Sequence, residues 1–221
     1  ATKISFINEF ATLAELVGAD IVEVARGVGL DERIGRKYLR AGVGWGGSCL
    51  GKDIKAILQT AKTFNYEMNL LKAALKVNRL QRESIIKKLE QQLPALEGAQ
   101  IGILGISFKP DTDDVRDAPF VYIARRLIEL GARVKAHDPA AISTCSRNHP
   151  DLPVTYCNTP EEAVTGSNAL VLLTEWEIYR KLDYSTLGGK MKQKIIIDGR
   201  NALDSKALQE VGFIYAGVGR K

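Results

Sequence analysis

"AQIGILGISFKPDTDDVRDAP" (residues 99–119) is the stretch that decides the fold class of this 221-residue chain. Its first ten residues form a short apolar run typical of a buried strand, and a charged loop and a helix pattern follow. A doubly wound sheet binds phosphate at this place, between a strand and the next helix. The glycines Gly102 and Gly105 give only G-x-x-G, so the dinucleotide-binding fingerprint is incomplete. The stretch therefore predicts a parallel α/β sheet and says little about its ligand.

Short apolar strands and amphipathic helices alternate through the rest of the C-terminal half. A helix pattern over residues 117–131 ends at Gly131, and the strand RVKAHDP follows it. The alternation continues through the strands LPVTYC, NALVLLT, KIIIDG and GFIYAG and the helix TPEEAVTGS. Such alternation implies right-handed crossovers between parallel strands, with helices on both faces of the sheet. We therefore expect a Rossmann-like parallel α/β domain of five or six strands over residues 94–221.

The first part of the chain, residues 1–93, carries helical periodicity instead. One helix ends near Gly18, Asp20 caps a second, and a third spans about residues 49–64. A fourth helix pattern covers residues 69–92, which makes a rod of about 36 Å at 1.5 Å per residue. We expect this region to form a separate helical domain.

The fourth helix has the strongest periodicity in the chain. Its apolar residues, from Leu70 to Leu89, are expected to form a continuous stripe, with Arg82 and Lys88 among the basic residues of the opposite face. A rod of this length either joins two domains or packs against a second copy of the chain. Pro94 then marks a domain boundary. The predicted fold class is α/β: a helical region with a long central helix, followed by a Rossmann-like parallel α/β domain.

Composition excludes several classes of protein. The chain has 45% hydrophobic and 26% charged residues, as in ordinary globular proteins, and no apolar run approaches the ~18 residues of a membrane span. Its three cysteines lack C-x-x-C spacing and its two histidines lack a ligand partner, so neither a disulfide framework nor a metal site is expected. We expect a reducing, cytoplasmic location and no membrane partner. The net charge of +5 favours an anionic partner such as a nucleotide, while no helix-turn-helix or stacking pattern predicts nucleic-acid binding.

"GVGWGGSCLGKD" (residues 42–53) contains the first candidate site. Cys49 lies where a helix starts, and the unpaired N–H groups of the helix start and the charge of Lys52 favour its thiolate. Asp53 follows four residues later, on the same helix face, where its carboxylate can orient or deprotonate a water molecule. The alternative is a glycine turn that carries a small buried cysteine. Upstream, "DERIGRKYLRAG" (residues 31–42) is basic and aromatic, and either clamps a diphosphate or is a solvated loop.

The loop after the first strand contains the second candidate site. Lys109 and Arg116 are both able to reach an anion there. Helix capping and solvation are the favoured roles of the neighbouring carboxylates Asp113, Asp114 and Asp117.

Two further residues follow predicted strands and keep two interpretations each. Asp138 either contacts a ribose or makes a strand-end turn. Arg200 either faces the ligand crevice or pairs locally with Asp198 or Asp204.

Five segments resemble, in the same order, the UDP-glucose/GDP-mannose dehydrogenase family. They are FINEFATLAELVGADIVEV, DERIG, GVGWGGSCLGKD, NRLQRESIIKKL and ILGISFKPDTDDVRDAP. The resemblance covers essentially the whole chain and implies the central and C-terminal parts of the family's fold, in which a long dimerising helix joins two Rossmann-like domains. The chain has no initiator Met and shows helical rhythm from its first residues. We therefore expect a fragment without the N-terminal NAD-binding domain, inactive on its own.

The resemblance also implies a reaction. Members of this family oxidise the C6 alcohol of a nucleotide sugar to an acid, removing four electrons with NAD. By this resemblance Cys49 is the nucleophile, which forms a thiohemiacetal and then a thioester, and Asp53 helps to activate the hydrolytic water. The implied substrate is UDP-glucose, with GDP-mannose as an alternative. A non-catalytic, dimerising module that binds nucleotide sugars is the other alternative.

The binding residues that the resemblance implies fall into three groups. Tyr38, Leu39 and Arg40 contact the nucleotide diphosphate, and Gly46 belongs to the loop over the substrate. Phe108, Lys109 and Arg200 contact the nucleotide, and Arg116 contacts the NAD diphosphate. Arg33 reaches the sugar bound by the neighbouring subunit of a homodimer formed through the long central helix. Gly51 departs from the proline of many family members, which removes no functional group.

Overall fold

Four helices precede the first strand of the structure, a computed structural model that describes residues 1–220. They are α1 (Thr2–Val17), α2 (Ile21–Val28), α3 (Ser48–Thr63) and α4 (Asn69–Gln92). The predicted helix ends are confirmed: Gly18 closes α1 with φ 75°, and the Asp20 carboxylate accepts a hydrogen bond from the Val22 N–H at 2.8 Å. None of the helices in residues 1–220 is long and apolar enough to cross a membrane.

Six parallel strands form one sheet in the order β3-β2-β1-β4-β5-β6. The strands are β1 (Gln100–Leu104), β2 (Arg133–His137), β3 (Val154–Tyr156), β4 (Ala169–Leu172), β5 (Ile195–Asp198) and β6 (Ile214–Gly217). Ile101 of β1 pairs with Val134 on one side and Ala169 on the other. The strand order reverses between β1 and β4, as in doubly wound nucleotide-binding sheets. The predicted fold class is confirmed.

Six further helices lie between or beside the strands. They are α5 (Pro119–Glu129), α6 (Ile142–Asn148), α7 (Pro160–Val164), α8 (Glu177–Arg180), α9 (Tyr184–Gly188) and α10 (Ser205–Glu210). Thr159 and Asp204 cap α7 and α10 through side-chain oxygens. Because all six strands are parallel, their carboxyl ends lie at one edge of the sheet.

The two faces of the sheet bury two separate apolar clusters. Ile101, Ile103 and Val134 point to the first cluster, which also contains Ile7 of α1 and Ile85 of α4. On the opposite face, Leu170, Leu172 and Ile196 pack with Leu187 of α9 and Leu208 of α10. Because side chains alternate along a strand, the central strands β1, β4 and β5 contribute to both clusters. The helical region and the sheet therefore share one core.

The predicted apolar stripe of α4 is only partly correct. Ile85 and Leu89 are buried, but Leu70 is 76% exposed, and Arg82 and Lys88 are buried although they were expected on the outer face. Residues 78, 82, 85 and 89 share one helix face, since they follow the spacing i, i+4, i+7 and i+11. In the first half of this face, Asn78 and Arg82 donate hydrogen bonds to backbone carbonyls of other segments, so polar side chains stand there instead of apolar ones.

Candidate active site

The glycine-rich loop, residues 42–47, is threaded between α4 and the loop that follows β1. The Val43 N–H donates to the Gly199 carbonyl at 2.7 Å, and the Gly47 N–H donates to the Arg116 carbonyl at 2.9 Å. Asn78 of α4 holds Trp45 by two hydrogen bonds, accepting from its N–H at 2.8 Å and donating to its carbonyl at 3.0 Å. The start of α3 is therefore tied to both parts of the chain.

Two of these glycines are required by contacts with the chain itself. Gly44 has φ 101°, and a Cβ there would lie 2.5 Å from Asn78 Oδ1. Gly47 has φ 88°, and a Cβ there would lie 2.9 Å from the Phe108 ring. Gly46, expected in the loop over the substrate, is likewise buried, and a Cβ there would strike the Asp117 carbonyl oxygen. The glycines thus allow close packing of the loop against the protein.

Cys49 lies exposed in the first turn of α3. Its Sγ is 3.7 Å from Ser48 Oγ, and the helix start has no side-chain cap. The first backbone N–H groups of α3 therefore remain available to stabilise a negative charge on the thiol. Asp53, one turn later, is exposed and forms an ion pair of 3.4 Å with Lys52.

Arg116 is a cationic side chain whose charge interacts with the thiol of Cys49. Two hydrogen bonds to Asp114, at 3.0 and 2.8 Å, raise the pKa of Arg116, and a negative charge at Cys49 acts in the same direction. The same interaction lowers the pKa of Asp114. Cys49, Asp53 and Arg116 are thus all exposed, and a charge interaction connects Arg116 with Cys49.

A cavity of about 520 Å³ lies between α2, the chain before the glycine loop, and the carboxyl ends of β4 and β5. We call it the arginine cavity, because five arginines and one glutamate line it: Arg26, Arg36, Arg40, Arg180, Arg200 and Glu175. Glu23 and Glu177 pair with Arg26 and Arg180, whereas within residues 1–220 no ion pair involves Arg36 or Arg40. Leu39 and Ala41 add apolar wall. Such a lining suits a ligand with several negative charges and an apolar part.

Arg200 is mostly buried and joins three segments of backbone. Its Nε donates to the Leu173 carbonyl at 2.6 Å, and its two terminal nitrogens donate to the carbonyls of Gly44 and Phe108 at 3.1 and 3.2 Å. Burial lowers the pKa of Arg200, and the charge of Glu175 opposes this shift. Neither predicted local pair forms through its guanidinium, because only its backbone N–H bonds to Asp198 and Asp204 instead caps α10. A guanidinium has five N–H groups, so two remain for a ligand in the cavity.

The remaining residues that were expected to bind ligands have different surroundings. Phe108 packs on the glycine loop, and Lys109 Nζ lies 5.5 Å from the centre of its ring. Tyr38 is exposed, with φ 65°. The side chain of Arg33 is 89% exposed and forms two hydrogen bonds with Asp31, so it contacts neither Cys49 nor the arginine cavity within this chain.

Hydrogen bonds within the chain join the carboxyl ends of β1 and β2. Asp138 Oδ2 accepts hydrogen bonds from the N–H groups of Ile106 and Ser107 at 2.7 and 2.9 Å and from the indole of Trp176 at 3.2 Å. Its Oδ1 accepts two more from the backbone turn that follows β2. A Cβ on Gly105 would lie 2.5 Å from Thr174. The strand-end interpretation of Asp138 is therefore confirmed, and a ribose contact is wrong because this carboxylate is fully used.

The polar side chains that hold the glycine loop were not predicted from the sequence. Arg82 of α4 pairs with Asp117, which was assigned to capping and solvation. A signal was present: Asn78 and Arg82 lie on the same helix face as Ile85 and Leu89, where exposed residues are not expected. Within residues 1–220 no group of three His, Cys, Asp or Glu side chains is arranged to hold a metal ion.

Two family models match most of the chain. The central domain of the UDP-glucose/GDP-mannose dehydrogenase family matches residues 1–80, and the UDP-binding domain of that family matches residues 102–205.

Curated relatives and solved structures agree with this assignment. UDP-glucose 6-dehydrogenase TuaD of Bacillus subtilis is 44% identical over 220 residues, which are 100% of this chain and 48% of that protein. A UDP-glucose 6-dehydrogenase of Pseudomonas aeruginosa is 40% identical over 225 residues, which cover 100% of this chain and 50% of that protein. The structure of a UDP-glucose dehydrogenase from the archaeon Pyrobaculum islandicum has a TM-score of 0.89 and 39% identity, covering 100% of this chain and 48% of that one. This chain spans about half the length of the relatives it matches, and it belongs to the UDP-glucose/GDP-mannose dehydrogenase family, of which it contains the central and UDP-binding domains.

Proposed function

We propose that this chain supplies the nucleophile and the nucleotide-sugar site of an NAD-dependent dehydrogenase that converts UDP-glucose to UDP-glucuronate. One observation carries the proposal: a single segment, residues 39–49, lines the arginine cavity at one end and bears the exposed Cys49 at the other. A nucleotide sugar has the matching form, since its diphosphate carries negative charge and its sugar lies beside it. Relatives at 40–44% identity are named UDP-glucose 6-dehydrogenases, which favours this substrate.

The proposal assigns the diphosphate to the arginine cavity. Arg40, without an ion pair in residues 1–220, and the two free N–H groups of Arg200 provide charge-assisted hydrogen bonds to phosphate oxygens. Leu39 faces the apolar part of the nucleoside, and Phe108 and Lys109 bound the path from the cavity toward Cys49. Tyr38 closes the exposed side of the cavity when the nucleotide binds.

Cys49 carries the covalent chemistry. Its thiolate adds to the C6 aldehyde of the sugar, and the resulting thiohemiacetal is oxidised to a thioester. Water then attacks the thioester carbonyl, and Asp53, one turn along the helix, takes a proton from that water as the C–S bond breaks and the thiolate leaves. NAD would supply the hydride-acceptor chemistry of the two oxidations, from the C6 alcohol to the aldehyde and from the thiohemiacetal to the thioester.

The residues of this chain fit only part of an NAD site. A second cavity, of about 550 Å³, is lined by Arg116, Arg125 and Tyr122, and its guanidinium groups suit the cofactor's diphosphate. At the carboxyl ends of β1 and β2, by contrast, Asp138, Ser107 and Trp176 form hydrogen bonds with one another. We assign the remainder of the NAD site to protein outside these 221 residues, consistent with relatives about twice as long.

A second copy of the chain is part of the proposal. The chain is divided into a dimerisation and catalytic-loop domain, residues 1–93, and a nucleotide-binding domain, residues 94–221. The exposed apolar side chains of α1 and α4, among them Phe10, Leu13 and Leu70, form the surface that a partner copy covers. Arg33, which is exposed and does not line the arginine cavity of its own chain, then reaches the sugar in the partner's site.

The test uses the full-length protein that contains this chain, supplied with UDP-glucose and NAD. We expect two NADH for each UDP-glucuronate, and loss of both products in Cys49→Ala. This chain alone is expected to bind UDP without producing NADH, and Arg40→Gln is expected to weaken UDP binding about 10-fold, the effect of one charge-assisted hydrogen bond. The control Arg147→Gln alters an exposed arginine of α6 and is expected to leave UDP binding unchanged.

Three outcomes would contradict the proposal. Faster turnover of GDP-mannose would assign the other nucleotide sugar of the family. UDP binding by the full-length protein without NADH would support a non-catalytic module. NADH production that survives Cys49→Ala would remove the nucleophile.

A further inference from the structure

An ion pair between the buried Arg82 and the partly exposed Asp117 joins α4 to the loop after β1, directly behind the glycine loop. Arg82 is only 9% exposed, and its two terminal nitrogens donate to Asp117 Oδ1 at 2.9 Å and to the Asp117 carbonyl at 3.1 Å. A buried guanidinium needs an acidic partner, because removing it from water is otherwise costly. Within residues 1–220 Asp117 is the carboxylate that forms an ion pair with it.

The same guanidinium also holds the glycine loop. One terminal nitrogen of Arg82 donates to the Trp45 carbonyl at 2.9 Å, beside the hydrogen bond from Asn78. From the opposite side, Arg200 donates to the Gly44 carbonyl at 3.1 Å. Two adjacent carbonyls of the loop are thus fixed by two guanidinium groups.

Asp117 completes the contact from the other side of the turn. Its neighbour Arg116 accepts the Gly47 N–H through its carbonyl, and its own Oδ2 would lie 3.3 Å from a Cβ on Gly51 in the first turn of α3. Asp117 adopts φ 51°, a conformation that aspartate tolerates better than most residues. The carboxylate therefore lies between α4 and the helix turn that carries Cys49.

We propose that Arg82 and Asp117 are positioning residues that fix the turn from which Cys49 projects. This role rests on the proposed function of Cys49. The thiol lies two residues beyond Gly47, so a displacement of this turn moves the Sγ atom relative to the sugar. A misplacement of about 1 Å can lower a catalytic rate about 100-fold without loss of substrate binding.

The first test is hydrogen exchange of this chain, compared between wild type and Asp117→Asn. The amide substitution keeps the size and an acceptor oxygen but removes the charge that balances Arg82. We expect faster exchange at the amides of residues 45–49, with unchanged exchange in β1 and α5. The control is Glu129→Gln, which breaks an exposed ion pair within α5, Arg126–Glu129 at 2.9 Å, whose residues line neither of the two cavities assigned to ligands. Equal acceleration throughout the chain would show a purely structural role and overturn the proposal.

The second test is the kinetics of the full-length protein. In Asp117→Asn we expect kcat to fall by about 10-fold or more while KM for the nucleotide sugar changes by less than about 2-fold. Restoring the charge with Asp117→Glu is expected to recover part of kcat. An unchanged kcat in Asp117→Asn, or a loss equal to that of Glu129→Gln, would overturn the proposal.

Different results would contradict the two proposals. Loss of turnover in Cys49→Ala tests the nucleophile and does not depend on Asp117. If the full-length protein shows no turnover that requires Cys49, the proposed function fails, and the exchange at residues 45–49 still decides whether Arg82 and Asp117 hold the turn.

Discussion

His137 is a buried titratable side chain at the end of β2. Its Nδ1 lies 2.9 Å from the hydroxyl of Tyr179, which also donates to the His137 carbonyl at 2.8 Å. Burial lowers the pKa of His137, and the negative charges of Asp138 and Glu162 oppose the shift only in part. The folded chain therefore prefers the neutral imidazole.

This preference makes stability depend on pH. The pKa of His137 is lower in the folded state than the value of about 6.5 expected in the unfolded chain. The stabilisation that the neutral His137 gives the folded chain is therefore present above pH 6.5 and is lost as pH falls through the pKa of the folded state. In urea unfolding at pH 7.5 and pH 5.5, we expect a smaller loss of stability in His137→Asn than in wild type. His149→Asn, which alters the other histidine, is expected to behave as wild type, and equal losses in all three proteins would refute the prediction.

For two single residues the sequence also left two interpretations open. Asp138 and Arg200 were each compatible with a ligand contact or a local role. The donors around Asp138 include Trp176, which is 38 residues away, and Arg200 reaches Gly44 across 156 residues. No local pattern reports such partners, so only the folded chain distinguishes the alternatives.

At the scale of elements, the glycine loop and the glycine of α2 behave differently. Gly44 has a positive φ, and a Cβ there would lie 2.5 Å from Asn78 Oδ1. Gly27 lies within α2, and a Cβ there would meet nothing within 4 Å. The same substitution should therefore have opposite effects at the two positions.

We expect Gly44→Ala to destabilise the chain by about 2 kcal/mol or more, because the Cβ strains the backbone and displaces the Asn78 side chain. Gly27→Ala is expected to stabilise it by up to about 1 kcal/mol, since alanine loses less conformational freedom in a helix. Urea unfolding of both variants measures the difference. A neutral Gly44→Ala would show that the loop is not packed as closely as the structure has it.

The elements themselves were largely predictable. The ends of α1, α2 and α4 and all six strands follow from periodicity, caps and turn residues, which act within a few positions. The exposed and buried faces of α4 were less predictable. Arg82 and Lys88 are buried because specific acceptors on other elements receive them, and hydrophobic periodicity contains no information about those acceptors.

At the scale of the molecule, the C-terminal segment is fastened to the helical region. Glu15 of α1 accepts hydrogen bonds from Lys88 Nζ and from the Gly219 N–H, both at 2.6 Å. Arg220 pairs with Asp20 at 3.2 Å. Because Gly219 follows β6, one carboxylate links α1, α4 and the last strand of the sheet.

We expect Glu15→Gln to lower the free energy of unfolding by about 3–5 kcal/mol, because the buried ammonium of Lys88 then lacks its counter-charge. Urea unfolding measures this loss. The control Glu9→Gln alters an exposed glutamate of the same helix and is expected to change stability by less than about 0.5 kcal/mol. Equal effects of the two substitutions would show that the link is not important for stability.

The amino-acid sequence by itself determined the order of the six strands, the helices α1 to α5 and α7, the parallel sheet and the motifs that resemble the dehydrogenase family. These properties depend on side-chain period, caps and residue types within short segments. The tertiary structure alone decided that Asp138 accepts a hydrogen bond from Trp176, that five arginines line one cavity, and that Arg82 and Asp117 meet behind Cys49. The physical reason is that a buried charge or carbonyl is satisfied by whichever group the fold brings within hydrogen-bond distance, and Arg82 and Asp117 are 35 positions apart in the chain.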